Sequence, residues 1–315
     1  MSGTDAVLVI KLSALGDVAL AFGPIAAIRR HHPRARLTVL TTRPYAPLFA
    51  ACPDVDEVWV DTRPKWYEIG KWRALRRRLR GGGFSRVYDL QTSDRSSSYF
   101  RLIGGGVAWS GIARGCAFPH ANPNRDRMHT LERQAEQLAM AGIPETPFPD
   151  LSWLDADVSA LAPAAPFVLL VPGGAAHRPG KRWPAARYAE LARLLIGRGV
   201  TPVVLGTAAE AEAIDAILAA APGAVSLAGR TDFAEIVALA RRAGGAVGND
   251  TGPMHLIALA GCAALALYGP ESDPALCGQR GPRAAILRAD DLASLPVAEV
   301  AGKLAEIGGL PQHES

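Results

Sequence analysis

The chain has 315 residues, 49% of them hydrophobic and 20% charged, a soluble globular composition too long for one average core and suited to two domains of roughly 150 residues each. Its longest apolar run, Leu256 to Tyr268, is 13 residues broken by Gly261, short of the ~18 to 20 that a membrane span needs. The net charge of +4 is unevenly divided: residues 1–150 hold 21 Lys and Arg against 14 Asp and Glu, and residues 151–315 hold 13 against 16, so the first half is expected to meet something anionic.

The start, "MSGTDAVLVIKL", has no basic flank before its apolar segment, so it is not expected to be a signal peptide and a cytoplasmic protein is expected. Cys52, Cys116, Cys262 and Cys277 lie far apart with no C-x-x-C pair, which argues against a structural zinc site or a disulfide framework.

In chain order, "AVLVIKL" (6–12), "RLTVL" (36–40), "EVWV" (57–60) and "RVYDL" (86–90) read as strands, each followed by a segment of helical spacing. Between the third and fourth, "KWYEIGKWRALRRRLR" (65–80) repeats Trp66, Ile69, Trp72, Leu75 and Leu79 at helical spacing and crowds Lys71, Arg73, Arg76, Arg77, Arg78 and Arg80 around them. That is either a domain helix with a solvated basic face or a helix that meets an anionic lipid or a phosphorylated partner at a membrane surface. A proline-rich stretch, residues 142–167, resists helix and sheet and suits a connection, so the boundaries are drawn as 1–155 and 156–315. Beyond it "FVLLV" (167–171), "PVVLG" (202–206), "AVSL" (224–227), "GAVG" (245–248) and "ALALY" (264–268) repeat the pattern, and 291–307 has the spacing of a closing helix that folds back over the joint. Strands apolar without alternation are covered on both faces, as in parallel sheets flanked by helices. The expected class is α/β, with two Rossmann-like, doubly wound domains facing each other across a cleft.

In such sheets ligands sit beyond the carboxyl ends of the strands. The first strand-end loop, "KLSALGDV", carries Ser13 and Asp17. Asp17 is either a helix cap or first-turn residue, or a carboxylate held at the cleft mouth. In "VPGGAAHRPGKRWP" (171–184), Gly173 and Gly174 let backbone N–H groups approach an anion, and His177, Arg178, Lys181 and Arg182 add positive charge. The stretch "GNDTGPMH" (248–255) ends a strand and starts a helix whose first turn offers Thr251, Gly252 and Pro253. That helix start is an anion site, whereas Asp250 would repel phosphate and is expected to hold hydroxyls. His255 lies four residues after Thr251, on the same helix face. Weaker signals are Glu210 near a helix start and Arg230 with Thr231 after a strand.

Taken in order, K-x-S-x-L-G-D near the start, "DLQ" at 89–91, "PGG…KRWP" at 172–184, "GNDTGPMH" and "LYGP" at 267–270 resemble glycosyltransferase family 9, the lipopolysaccharide heptosyltransferases and their relatives. The resemblance implies a GT-B fold, an ADP-activated heptose donor, inversion at the anomeric carbon and a lipopolysaccharide core acceptor. It also implies Asp17 as general base, Lys181 at the donor phosphates, Thr251 and Gly252 at the diphosphate-binding helix start, His255 at the donor site and Asp250 on the donor sugar. Glu210 and Thr231 would lie at the nucleoside. After "DLQ" this chain reads "TSDRSS", which puts Thr92 and Arg95 where many relatives continue with Gly and a Lys, so Arg95 is taken with Ser13 as acceptor-facing.

No D-x-D stands at a strand end, so no cofactor and a metal-independent reaction are expected, with Lys181, Arg182 and a helix dipole receiving the charge of ADP. The expected partners are a nucleotide-sugar donor, a lipopolysaccharide core acceptor and, peripherally, the cytoplasmic face of the inner membrane; nucleic acid is not expected. Two other readings stand beside this one: a non-hydrolysing sugar-nucleotide 2-epimerase and a non-catalytic nucleotide-sugar-binding protein. A dehydrogenase is disfavoured because neither half opens with G-x-G-x-x-G.

Overall fold

The computed structural model describes residues 5–164, 166–174 and 178–310. The chain divides into two compact units, Met1–Trp153 and Leu154–Ser315. Among the described residues the first unit holds six strands: β1 (Ala6–Ile10), β2 (Arg36–Thr41), β3 (Glu57–Val60), β4 (Arg86–Asp89), β5 (Ala108–Gly111) and β6 (Phe118–Pro119). The second holds β7 (Phe167–Val171), β8 (Thr201–Val204), β9 (Val225–Ser226), β10 (Gly245–Asn249), β11 (Ala263–Tyr268) and β12 (Ala284–Arg288).

The strand orders are β3-β2-β1-β4-β5-β6 and β12-β11-β10-β7-β8-β9. Read from each unit's own first strand these are the same order, 3-2-1-4-5-6, the doubly wound dinucleotide-fold order. The first strand of each unit is central and pairs in parallel on both sides, as where Val9 lies opposite Val39 and Tyr88. That placement explains its composition, since Val7, Leu8, Val9 and Ile10 are all fully buried and a strand covered on both faces has no position for a polar side chain. One core packs Leu8, Ile10, Val87, Tyr99 and Trp109; the other packs Val168, Leu170, Trp183, Tyr188, Val247 and Leu265.

Nine of the strands coincide, to within two residues at either end, with apolar runs read from the sequence. The other three, β5, β6 and β12, lie at or beside sheet edges; "AWSG" and "FP" carry no apolar run, whereas "AAILR" of β12 carries a short one outside the runs read as strands. The helix expected over 65–80 runs over Ile69–Gly81. Trp66 sits in the preceding turn and is 86% exposed, so it does not belong to the helix face that Trp72, Leu75 and Leu79 turn to the core. The closing helix, Val297–Glu306, builds Val297, Val300, Ala301 and Leu304 into the core of the second unit.

Candidate functional site

Each sheet reverses its winding between its first and fourth strands, and the crevice outside the carboxyl ends there is where such folds take ligands. In the first unit these strands are β1 and β4. Their loops are tied together by Gln91, whose Oε1 accepts from the backbone N–H groups of Leu12 at 2.8 Å and Ser13 at 3.0 Å. Lys11, buried at the end of β1, donates from Nζ to the Leu90 carbonyl at 3.3 Å. Burial lowers its pKa, against which the charges of Asp17 and Asp89 pull upward. Asp89 closes the turn from its own side: Oδ1 accepts from the N–H groups of Gln91 at 3.1 Å and Thr92 at 3.0 Å. Burial nevertheless raises its carboxyl to about 6.

Asp17 lies in the first turn of the helix Leu15–Leu20, whose N-cap is Ala14; it is a first-turn residue and not the cap. Its Oδ1 accepts from the Thr130 hydroxyl at 3.2 Å. Thr130 opens the helix Thr130–Met140 and accepts from Arg133 Nη2 at 3.3 Å. Ser13 stands in the loop after β1 and Asp17 in the first turn of the helix that follows it. Arg95, on the helix Asp94–Ile103 that follows β4, spends its guanidinium on the Pro64 carbonyl (3.2 Å), the Tyr99 hydroxyl (3.4 Å) and the face of Trp72. Arg125 instead reaches Thr92, with Nη2 3.0 Å from Oγ1.

In the second unit the reversal lies between β7 and β10. Asn249, the last residue of β10 and fully buried, fixes both loops there. Its Oδ1 accepts from the Trp183 N–H and the Tyr188 hydroxyl, both at 3.0 Å. Its Nδ2 donates to the carbonyls of Pro172 at 2.8 Å and Gly173 at 3.0 Å. An amide can make about four such bonds, so Asn249 is saturated and the glycine loop is held against the end of β10.

Next to it, Asp250 Oδ2 takes Lys181 Nζ at 2.8 Å and the Ser272 hydroxyl at 2.7 Å, and Oδ1 takes the Tyr268 hydroxyl at 3.0 Å. Burial alone would raise this carboxyl; the bonds from Lys181 and Ser272, the lysine's charge and Tyr268 together hold it below the ordinary carboxylate range. Lys181 and Asp250, expected to face different parts of a ligand, are thus joined to each other. Gly269 of "LYGP" makes this possible, because a Cβ there would stand 2.1 Å from the carbonyl oxygen of Gly180. Only glycine lets the turn carrying Lys181 come so close.

The helix Gly252–Leu259 starts immediately after Asp250. Thr251 is its N-cap, half-buried, and makes no side-chain capping bond. The positive end of the helix dipole thus has a hydroxyl beside it; Pro253 has no N–H, and that of Met254 donates to the Thr251 carbonyl at 3.1 Å. His255 is buried on this helix. Arg182 Nη2 donates to the Gly174 carbonyl at 2.5 Å, and Glu210 stands beside Gly173. Glu210 also closes a capping box with Thr207, accepting from its N–H at 2.8 Å and its hydroxyl at 2.7 Å. Thr231 precedes the N-cap Asp232 of the helix Phe233–Arg242. Its loop runs beside that of Glu210, with the Gly229 N–H on the Gly206 carbonyl at 2.9 Å. Thr231 therefore belongs to the loop after β9, the edge strand two places from β7 in the sheet. Arg178 is exposed; His177 lies outside the described residues.

Sequence reading missed Gln91, Asn249, Ser272, Thr130 and Arg133. Gln91 and Asn249 stood inside quoted motifs, and a polar amide at the end of an apolar strand was the available signal. Thr130 and Arg133 carried none, since nothing local relates them to Asp17, 113 residues away.

A family model described as glycosyltransferase family 9 (heptosyltransferase) matches residues 72–301. The chain is 31% identical over 298 residues to lipopolysaccharide heptosyltransferase 2 of Escherichia coli (strain K12), covering 84% of this chain and 83% of that protein. It is 30% identical over 291 residues, with the same coverage, to lipopolysaccharide heptosyltransferase 2 of Salmonella typhimurium (strain LT2). The structure of E. coli ADP-heptose lps heptosyltransferase II matches with a TM-score of 0.80 at 26% identity, over 96% of this chain and 98% of that one. The fold is accordingly of the GT-B type.

Proposed function

The chain belongs to glycosyltransferase family 9, and on that premise we propose that it is an inverting enzyme moving a heptose from an ADP-activated donor to a lipopolysaccharide core acceptor. The observation that carries the donor half is the joining of Lys181 to Asp250 at the start of the helix Gly252–Leu259. A diphosphate arriving there is offered the positive end of the helix dipole, the Thr251 hydroxyl and the Lys181 ammonium at once. Its oxygens compete with Asp250 for Lys181, and the released carboxylate accepts hydroxyls of the sugar. Gly173 and Gly174 give the diphosphate close access to backbone, Arg182 braces that loop, and His255 backs the helix. Glu210 and Thr231, at the ends of β8 and β9, take the nucleoside.

The second unit is thus the donor domain and the first the acceptor domain. Ser13 and Arg95 follow the switch-point strands β1 and β4 and line the acceptor side. Asp17 takes the proton of the acceptor hydroxyl as that oxygen bonds to the anomeric carbon, and ADP leaves from the opposite face, so one displacement inverts the configuration. Fixed cations and a helix dipole absorb the leaving charge, so turnover proceeds without added metal and survives excess EDTA; loss of activity that Mg²⁺ restores counts against this. An epimerase reading is not favoured by the family assignment.

Among the described residues no helix is long and apolar enough to cross a membrane. The protein works in the cytoplasm, and its contact with the inner membrane is peripheral, through the basic helix Ile69–Gly81.

The deciding variant is Asp17→Asn, which keeps the shape and the helix turn but cannot take a proton at neutral pH. It should lose ~10² to 10⁴ in kcat with ADP affinity unchanged; retention of more than about a tenth of parental kcat would return Asp17 to a helix first-turn residue. Core oligosaccharide from a strain lacking the chain, weighed by mass spectrometry, names the sugar and the acceptor together.

A further inference from the structure

We infer that Thr130 and Arg133 are positioning residues for Asp17: they orient its carboxylate and keep it ionised for proton transfer from the acceptor. This rests on the reading of Asp17 as the base, and it deepens that reading with two residues from a separate helix. The geometry is a directed chain, Arg133 Nη2 to Thr130 Oγ1 at 3.3 Å and Thr130 Oγ1 to Asp17 Oδ1 at 3.2 Å.

The direction follows from the chemistry of the groups. A guanidinium only donates, and a threonine hydroxyl has one proton and two lone pairs. With Arg133 on a lone pair, the hydroxyl proton is directed to Asp17. Thr130 is 2% exposed and so gains nothing from solvent in place of that bond. It is the first residue of its helix, whose N-terminal dipole adds to the positive potential at the carboxylate. A hydrogen bond from a fixed donor removes the side-chain freedom that a first-turn aspartate otherwise keeps. An ionised carboxylate accepts in about four directions, so the bond from Thr130 does not by itself saturate it.

Lys11 at the end of β1 and Tyr45 each feel the charge of Asp17, and Arg133 stands on the facing helix behind Thr130. The two cations, Lys11 and Arg133, favour the ionised form of Asp17. Removing the charge of Arg133 must therefore move the protonation of Asp17 to higher pH. A residue that merely packed would not shift it.

The experiment compares Thr130→Val, Thr130→Ser, Arg133→Gln and Asp17→Asn in the full-length protein with donor and acceptor. Thr130→Val should lower kcat about tenfold or more, as expected for a lost hydrogen bond to a charged group, with ADP affinity unchanged; Thr130→Ser should restore it to within about twofold of the parent. Arg133→Gln should move the acid limb of the kcat/KM profile upward. Parental kcat in Thr130→Val and an unmoved acid limb in Arg133→Gln, alongside an inactive Asp17→Asn, would overturn the inference and leave the base reading standing. An active Asp17→Asn overturns both. Should Thr130→Val fail to fold, the acid limb of Arg133→Gln decides the same point.

Discussion

Lys181 and Asp250 meet at 2.8 Å with only 12% and 10% of their side chains exposed, joining a turn that follows β7 to the end of β10 across 69 residues of chain. Breaking a buried pair by removing one partner leaves the other charge uncompensated, at a cost of about 3 to 5 kcal/mol. Lys181→Met should therefore lower stability by several kcal/mol at pH 7 and weaken ADP binding. The pH dependence has a definite sign. In the parent, the depressed pKa of Asp250 contributes stability above the ordinary carboxylate pKa, and this is lost as pH falls below it. In Lys181→Met burial prevails, Asp250 protonates at higher pH, and the gap to the parent narrows on acidification. Urea midpoints between pH 4 and 8 measure it; a gap that stays constant would show that the loss of Lys181 does not change the titration of Asp250.

Gly269→Ala should disrupt the donor site without touching any polar group. The new methyl would stand 2.1 Å from a backbone oxygen of Gly180, which only movement of the Pro179–Lys181 turn can relieve, at about 1 to 3 kcal/mol. ADP affinity should fall with it. Gly197→Ala is the matched control, because a Cβ there meets nothing within 4 Å. Calorimetric ADP titration of both proteins decides; equal affinities would mean that the turn yields freely.

Asp89 supplies a titration of opposite sign. Burial lifts its carboxyl from 3.8 to about 6, so between these values the folded chain holds a proton that the unfolded chain has released. Stability therefore falls as pH rises through this window. Asp89→Asn keeps an oxygen to accept from Gln91 and Thr92 and removes the titration. Its stability relative to the parent should grow from pH 4 to pH 6 and level off above. A relative stability independent of pH would exclude burial as the cause.

The exposed face of the helix Ile69–Gly81 offers Arg73, Arg76 and Arg77, with Trp66 and Tyr67 at its leading end, 86% and 56% exposed. Basic side chains near an anionic surface contribute about 1 kcal/mol each, and tryptophan favours the interface. Charge reversal of these three arginines should abolish most binding to phosphatidylglycerol-containing vesicles and leave ADP affinity unchanged. Arg78 is excluded from the set because it stacks on Trp59 at 4.4 Å, so its loss would disturb packing as well. Equal binding of the parent to neutral and anionic vesicles would remove the membrane from the account.

What the sequence by itself determined was the class of fold and most of its strands, since a strand buried on both faces must be written in unbroken apolar residues, as β1, β7 and β11 are. The loops were legible for a related reason. Glycine, proline and charge concentrated between two buried elements have no structural use in such quantity, and this marked Gly173, Lys181, Asp250 and Thr251. Only the tertiary structure decided which of these groups meet. Lys181 and Asp250 read as binders of different parts of one ligand, yet the strand order sets β7 beside β10 and turns them on each other. Asn249 stood in a quoted motif with no role of its own until the sheet placed two carbonyls and two donors around it. Thr130 and Arg133 were invisible, because a helix 113 residues downstream is brought to Asp17 by packing, and hydrogen bonds between elements leave no period in a sequence. The edge strand β6 escaped notice for the converse reason: two residues long and half-solvated, it needs no apolar run to be held in place.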